Sequence, residues 1–296
     1  MGLRHKGEPR YAALDLGTNN CRLLVAEPRT RGFVVVDSFS RITRLGEGLA
    51  ANDRLSEAAM SRTLAALKVC RRIMLRNDVI MARCVATEAC RRAANGADFI
   101  ERVRRVTGIV LEVLGPDEEA RLALLGCLPL IDAEADTLLM VDIGGGSTEV
   151  MWLDRTAPIE DGRAGRSLSL PIGVVTLAES FAAEADTPSG YAGMVDRVRT
   201  RLARSCSESG APPALNGERT QMLGTSGTVT TLAAVHLDLP RYDRAQVDGV
   251  HMPFAAVRHV ARRLRALPLA DRAAHPCIGT GRADLVVAGC AILDAI

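Results

Sequence analysis

The sequence predicts an α/β protein made of two similar lobes, each with a mixed β-sheet and flanking helices. The chain has 296 residues, 48% of them apolar, which is enough for two ordinary hydrophobic cores. Apolar runs of strand length alternate with amphipathic segments of helical period. One strand–turn–strand pattern also occurs twice, at 11–25 and at 138–152, with a constant offset of 127 positions. We therefore expect a duplicated architecture with a cleft between the copies.

The repeated pattern is an apolar run, an Asp, a turn that contains glycine, and a second apolar run. It reads YAALDLGTNNCRLLV in the first copy and LLMVDIGGGSTEVMW in the second. Each copy predicts a hairpin whose tip exposes backbone N–H groups, and glycine lets that backbone approach a ligand. Exposed amides and hydroxyls suit an anion, so the pattern favours phosphate chemistry. Four pairs of positions correspond between the copies: Asp15 with Asp142, Gly17 with Gly144, Asn20 with Ser147, and Arg22 with Glu149.

The elements of the first half follow from its periodicity and its turn residues. Ser56 precedes an apolar pattern of helical period, which predicts the N-cap of a long helix. Asp98 is the predicted cap of a later helix, and Gly115-Pro116 separates the last strand from an acidic helix start. The predicted strands are 10–15, 21–27, 32–40, 79–86 and 109–114, and the predicted helices are 56–76, 87–94, 98–107 and 117–126.

The second half repeats the order of the first. After its hairpin we predict a third strand at 167–170, helices at 174–182 and 189–206, and a strand at 221–223 before closing helices. Residues 158–165 and 187–190 are predicted loops, and 210–217 a linker. We place the lobes at 1–130 and 131–296, with the last helix free to pack back on the first lobe.

Charge and cysteine usage exclude several classes of function. The net charge is +2 and the pI about 8.2, so no basic surface of the size that nucleic acid requires is expected. Eight cysteines lack metal-binding spacing and are expected to be buried thiols in a reducing cytosol. No signal-peptide pattern opens the chain, and no apolar run approaches the ~20 residues of a membrane span. We expect a cytoplasmic protein without a nucleic-acid polymer or a membrane as partner.

Two carboxylates, Asp15 and Asp142, each end an apolar strand at the expected cleft. They would repel phosphate unless a hard cation lay between them, and Mg²⁺ typically uses one or two carboxylates plus substrate oxygens. The pair therefore predicts a metal-assisted phosphate site. The alternative is that both are ordinary turn residues, which Asp and Gly often are.

Three shorter motifs suit the same chemistry, and each has a purely structural alternative. The turn made by Gly224, Thr225, Ser226 and Gly227 opens a helix. Its backbone amides could bind phosphate, or the turn could be an ordinary helix N-cap. Glu119 lies in an acidic helix start, where it could activate a water or only complement the helix dipole. Arg91 follows a strand, where it could neutralise phosphoryl charge or lie on a solvated helix face.

Several segments together resemble the exopolyphosphatase and guanosine pentaphosphatase family. They are DLGTNNCRLLVA, ATEACRRAAN, GPDEEARLALLG, VDIGGGSTEV, LGTSGT and GRADLVVAGCAILDAI, in order from residue 12 to the last residue. That family belongs to the actin, Hsp70 and sugar-kinase superfamily. The resemblance therefore implies two RNase H-like (actin-like ATPase) lobes, each with a mixed five-stranded sheet. It also implies hydrolysis of the terminal phosphate of polyphosphate, or of pppGpp to ppGpp, with Mg²⁺ or Mn²⁺, and it is compatible with a homodimer.

The resemblance assigns roles by position. Glu119 would be the base that activates water, and Arg91 would lie near the transferred phosphate. Asp142 and Glu149 fall on metal-linked catalytic positions, beside Asp15 as a third predicted metal carboxylate. The first phosphate loop would contain Gly17, Thr18, Asn19 and Asn20, with Arg22, and the second Gly144, Gly145, Gly146, Ser147 and Thr148. This chain departs from the family pattern at Asn20, which replaces a hydroxyl, and at Gly115-Pro116, which replaces the usual Ser-Gly.

Two other functions stay open. A kinase of the same superfamily would transfer phosphate from ATP to an acceptor such as acetate or a sugar, although the Glu-Glu-Ala helix start favours hydrolysis. A non-catalytic sensor would bind (p)ppGpp or polyphosphate without turnover. Within the hydrolases, polyphosphate and pppGpp are alternative substrates that share the same chemistry.

Overall fold

Two β-sheets, one in each of two units, organise the chain. The computed structural model describes residues 8–154, 165–209 and 219–296, so the predicted linker at 210–217 and most of the predicted loop at 158–165 lie outside the described residues. The units are Met1–Gly115 and Pro116–Ile296. The division therefore falls earlier than residue 130, where the sequence suggested it.

The first unit contains a five-stranded mixed sheet in the order β3-β2-β1-β4-β5. Strands β1, β2 and β3 form an antiparallel meander, and β4 and β5 run parallel to β1. Apolar side chains of β1 and β2 pack against the two longest helices, α2 and α4. The elements are β1 (Arg10–Leu16), β2 (Asn20–Pro28), β3 (Phe33–Ile42), α1 (Leu49–Asn52), α2 (Glu57–Arg76), β4 (Val79–Ala86), α3 (Glu88–Arg92), α4 (Gly96–Thr107) and β5 (Glu112–Val113).

The second unit repeats the antiparallel meander and the parallel fourth strand, in the order β8-β7-β6-β9. Within the described residues this sheet has four strands, so the fifth strand that the resemblance implied is absent there. The elements are α5 (Pro116–Cys127), β6 (Thr137–Ile143), β7 (Thr148–Asp154), β8 (Gly165–Leu170), α6 (Val174–Ser180), α7 (Pro188–Ser209), β9 (Thr220–Thr225), α8 (Ser226–His236), α9 (Arg244–Val247), α10 (Phe254–Ala266), α11 (Leu269–Ala274) and α12 (Val286–Ala295).

Helix α5 belongs to the second unit because its apolar stripe packs on the second sheet. Ala120 is buried with Met140 of β6 and Met151 of β7, on the face where Asp142 and Glu149 also project. The opposite face of this sheet packs on helices α6, α7, α8 and α12. The terminal helix α12 therefore contributes to the second core, whereas the sequence left it free to pack on the first lobe.

Most predicted elements are confirmed, and two local predictions are wrong. Asp98 does not cap α4, which begins at Gly96 after Asn95. The Asn95 side chain instead bonds both main-chain groups of Leu55, at 2.8 and 3.0 Å, so it joins two segments distant in sequence. The predicted loop at 187–190 is the start of α7, where Pro188 occupies a first-turn position that needs no N–H donor.

All eight cysteines are free thiols. Six of them are buried, as the sequence predicts, whereas Cys127 and Cys206 are partly exposed. Among the residues that the structure describes, no helix is both long and apolar enough to span a membrane.

Ser56 is the N-cap of α2, since its hydroxyl accepts a hydrogen bond from the Ala59 amide at 3.2 Å. We expect Ser56→Ala to lower the free energy of unfolding by about 1 kcal/mol, because one helix donor loses its acceptor. Ser61→Ala, in the exposed middle of the same helix, is the matched control and should be neutral or slightly stabilising. Urea unfolding measures both, and equal effects would contradict the cap.

Candidate active site

Four polar residues form one row across the second sheet. The strand register places Ser169 opposite Glu149, Glu149 opposite Asp142, and Asp142 beside Thr225. Residues paired directly across neighbouring strands project from the same face of a sheet, so the four side chains form one polar row on the face that also carries Met140 and Met151. Two carboxylates are therefore neighbours at the end of the hairpin, as the sequence predicted for Asp142 and Glu149.

Helix α5 brings a third carboxylate to this row. Ala120 is buried against the sheet, and Glu119 precedes it in the first helical turn. The Glu119 charge acts on Glu149 strongly enough to help raise the pKa of Glu149. The structure therefore brings together three of the predicted catalytic residues, Glu119, Asp142 and Glu149.

Glu149 is the buried member of this acidic cluster, with only 3% of its surface exposed. The pKa of its carboxyl is raised to about 8. Burial is the largest cause, and the negative charges of Glu119 and Asp142 contribute to the rise. Hydrogen bonds from the hydroxyls of Ser147 and Ser169 oppose it, because they favour the charged form. A site that raises a carboxyl pKa in this way favours occupation by positive charge.

The glycine turn after β6 is held from behind by helix α6. The Gly144 amide donates to the Ser147 carbonyl at 3.0 Å, which closes the turn. The carbonyls of Gly144 and Gly145 accept from the first amides of α6, those of Val174 and Val175, at 3.0 and 2.9 Å. Because the carbonyls are engaged by the helix, the turn is fixed in position beside Glu149.

Gly173 permits this close approach. A Cβ atom at Gly173 would lie 2.3 to 2.5 Å from main-chain atoms of Gly145 and Gly146, which real contacts do not allow. Its backbone has φ −125°, which any residue adopts, so the requirement for glycine is steric.

The first hairpin repeats the closing bond of the second. The Gly17 amide donates to the Asn20 carbonyl at 2.9 Å, the counterpart of the bond between Gly144 and Ser147. The carbonyls of Thr18 and Asn19 accept from amides of the segment after β3, at 2.8 to 3.0 Å. The side-chain oxygens of Asn19 and Asn20 are buried without a hydrogen-bond partner. As acceptors they suit a donor or a cation and not phosphate oxygens, so the phosphate-binding role of this loop stays a prediction.

The charges of the two hairpins differ. Asp15 lies opposite Arg22 in the first sheet, whereas the corresponding Asp142 lies opposite Glu149. The first hairpin therefore carries one acidic and one basic side chain at the position where the second carries two acids. Its predicted role in phosphate binding agrees with the guanidinium of Arg22, and its predicted role as a metal site rests on Asp15 alone.

Arg91 is held by its own unit. Its guanidinium donates to the Glu88 carboxylate at 2.6 Å and to the Leu114 carbonyl at 2.5 Å. The side chain is about one-fifth exposed, so it is neither buried nor on the freely solvated face of the alternative interpretation. Its predicted contact with a transferred phosphate stays a prediction.

The turn of Gly224 to Gly227 joins β9 to α8, as predicted. Ser226 has φ 72°, in the left-handed region that side chains other than glycine rarely adopt. The Thr225 hydroxyl is buried without a partner beside Asp142. Arg282 lies close to this turn, since a Cβ atom on Gly227 would be 3.8 Å from its guanidinium carbon.

Two residues near the site were not singled out from the sequence. Arg282 lies in the closing GRAD segment, which contributed to the family resemblance without a role of its own. Ser169 lies in the strand RSLSL, where the alternation of serine and leucine indicates one polar and one apolar face.

Asp142 and Glu149 fit a hard divalent cation. They supply adjacent carboxylate oxygens, and the unpartnered Thr225 oxygen extends the same row. Among the residues described, no group of three or more His, Cys, Asp and Glu side chains is placed to hold a metal ion by itself. A pair of carboxylates completed by water and phosphate oxygens is the arrangement typical of Mg²⁺.

Comparisons with known proteins identify a family for the chain. The model of the Ppx/GppA phosphatase family matches residues 24–296. The chain is similar to "Exopolyphosphatase 2" of Mycobacterium tuberculosis, 31% identical over 302 aligned residues that cover 97% of this chain and 89% of the relative.

Solved structures show the same fold. An exopolyphosphatase-like protein, 28% identical, superposes with a TM-score of 0.86 over 97% of this chain and 87% of its own. The Ppx/GppA family member of Aquifex aeolicus, 29% identical, gives a TM-score of 0.74 over 96% and 88%. The predicted fold class, two actin-like α/β lobes, is confirmed, except that the second described sheet has four strands.

Gly173→Ala tests whether the close approach of α6 fixes the glycine turn. We expect it to lower phosphohydrolase turnover at least about 10-fold, because the turn beside Glu149 must move, and a misplacement of about 1 Å costs on that scale or more. Gly126→Ala in α5 is the control, since its Cβ would meet nothing within 4 Å. Turnover is measured on folded protein, and an unaffected Gly173→Ala would contradict the constraint.

Glu149→Gln tests the buried carboxylate. The pKa of Glu149 is raised from its usual 4.5 to about 8, so between these pH values the folded protein holds a proton that the unfolded chain releases. The contribution of this carboxyl to stability is therefore expected to fall as pH rises over this interval, by at most about 5 kcal/mol. In EDTA, Glu149→Gln should raise the unfolding midpoint at pH 9 and have little effect at pH 4. An equal effect of Glu149→Gln on the midpoint at pH 4 and at pH 9 would contradict the assignment.

Proposed function

Because the chain belongs to the Ppx/GppA phosphatase family, we propose that it hydrolyses the terminal phosphoanhydride of inorganic polyphosphate and releases orthophosphate. The observation that carries the proposal is the acidic cluster of Glu119, Asp142 and Glu149 beside a fixed glycine turn. The turn offers amides to phosphate oxygens, and the cluster suits a hard cation. The similarity to an exopolyphosphatase of M. tuberculosis supports polyphosphate as substrate.

In the proposed reaction, a water oxygen attacks the terminal phosphorus and the bridging P–O bond breaks. Glu119 accepts the water proton, and the shortened chain leaves with the bond's electron pair. The position of Glu119 in the first turn of α5 suits a carboxylate, since the N-terminus of a helix stabilises negative charge.

Asp142 and Glu149 would hold a divalent cation, Mg²⁺ or Mn²⁺, which when bound would neutralise phosphoryl charge. The amides of the glycine turn position the terminal phosphate, so much of the barrier reduction comes from orientation and charge neutralisation. Ser147 lies next to the cluster and is 3% exposed, which keeps its hydroxyl out of bulk water.

Glu119→Gln should lower orthophosphate release from polyphosphate by about 10²- to 10⁴-fold, because an amide cannot accept the proton. Glu118→Gln is the matched control in the same helical turn. Glu118 pairs with Arg121 at 2.7 Å on the helix surface, and its loss should change turnover less than about threefold. Full turnover by Glu119→Gln would remove Glu119 as the base.

The same assay separates the alternatives. Polyphosphates of graded length and pppGpp are compared with and without Mg²⁺, and pppGpp turnover alone would assign the chain to guanosine pentaphosphate hydrolysis. Phosphate transfer from ATP to acetate or a sugar would indicate a kinase. A sensor would be indicated if the wild-type protein bound (p)ppGpp or polyphosphate but released no phosphate at any Mg²⁺ concentration.

A further inference from the structure

We propose that Ser169 is a positioning residue of the active site, whose hydroxyl fixes the Glu149 carboxylate in its orientation toward Asp142 and Glu119. The kinetic part of this inference rests on the proposed function. The hydrogen bond between Ser169 and Glu149 does not depend on the proposed function, and a separate experiment tests it.

The contact is built by the strand register. Ser169 lies directly opposite Glu149 in the antiparallel pair of β7 and β8, and its Oγ donates to Glu149 Oε1 at 2.9 Å. The Ser147 hydroxyl, in the turn before β7, also bonds this carboxylate. Two hydroxyls therefore bond the buried group, one from the glycine turn and one from the edge strand.

The position of Ser169 is chemically unusual for its surroundings. Farther along the same face, β6 and β7 present buried apolar side chains, among them Met140, Met151 and Leu153. A serine that faces this region needs a hydrogen-bond partner, and Glu149 supplies it. The alternating Leu168 and Leu170 face the other side of β8.

Glu149 needs such a donor because its neighbours repel it. The charges of Glu119 and Asp142 both disfavour the ionised carboxylate, and burial prevents water from compensating. A carboxylate under repulsion from two others turns away unless donors hold it. Ser169 donates from the edge-strand side, so its bond resists rotation away from Asp142.

Ser167 provides an internal comparison in the same strand and on the same face. Its hydroxyl donates to Asp117 Oδ1 at 3.1 Å, and this bond is exposed to solvent. Exposed hydrogen bonds exchange readily with water and contribute little, whereas the partly buried bond of Ser169 ends on a buried carboxylate and should contribute more. Both residues are serines on the same face of β8. They differ in the group that each bonds, which is exposed for Ser167 and buried for Ser169.

The kinetic experiment compares Ser169→Ala, Ser169→Thr and Ser167→Ala with polyphosphate and Mg²⁺. We expect Ser169→Ala to lower kcat about 10-fold or more, with KM changed less than about threefold. Ser169→Thr keeps the hydroxyl and should recover most of kcat, and Ser167→Ala should match wild type. The inference would be overturned if folded Ser169→Ala kept the wild-type kcat. It would also be overturned if Ser169→Thr were as impaired as Ser169→Ala.

A second measurement keeps the inference independent of the substrate. The unfolding midpoints of wild type, Ser169→Ala, Glu149→Ala and the double variant form a cycle. We expect the effect of Ser169→Ala to disappear when Glu149 is already alanine, because the shared bond is then gone. Additive effects would overturn the contact. If the cycle shows coupling while wild type releases no phosphate, the proposed function fails and the positioning contact stands.

Discussion

The burial of a carboxylate between two others is the constraint on which the candidate site depends. Glu149 is 3% exposed, and the β-sheet register holds it next to Asp142, so it can escape the repulsion neither into water nor by moving along the strand. The hydroxyl donors of Ser147 and Ser169 compensate for this charge in part. A cation bound with phosphate oxygens would complete the compensation in the proposed reaction.

The two hairpins of the internal repeat share their backbone hydrogen bonds but differ in side-chain charge. Both hairpins close with the same main-chain bond, at 2.9 and 3.0 Å, and in each the carbonyls of the turn accept from a following segment. The cross-strand neighbour of the aspartate is Arg22 in one copy and Glu149 in the other. One scaffold thus carries a basic group suited to phosphate oxygens and an acidic pair suited to a cation.

The sequence predicted what local patterns encode. The strand at Val79–Ala86, the cap at Ser56 and both hairpins follow from periodicity, turn residues and the repeat. It failed where distant segments decide the outcome. Asn95, which precedes α4, binds the distant Leu55 with its side chain, and α5 joins the second unit because of its packing. Ser169 could not be singled out, because the register between β7 and β8 cannot be predicted from either strand alone.

In the proposed mechanism the protein supplies two carboxylates, Asp142 and Glu149, to the cation. Two adjacent carboxylates bind a strongly hydrated cation weakly, because it must retain most of its water. Phosphate oxygens placed by the glycine turn can replace some of that water, so cation and substrate stabilise each other's binding. The raised pKa of Glu149 strengthens this coupling, because at neutral pH the carboxyl must lose its proton before it ligates. The site therefore suits a cation that arrives with the polyanion, and the repulsion among the acids is relieved when both are present.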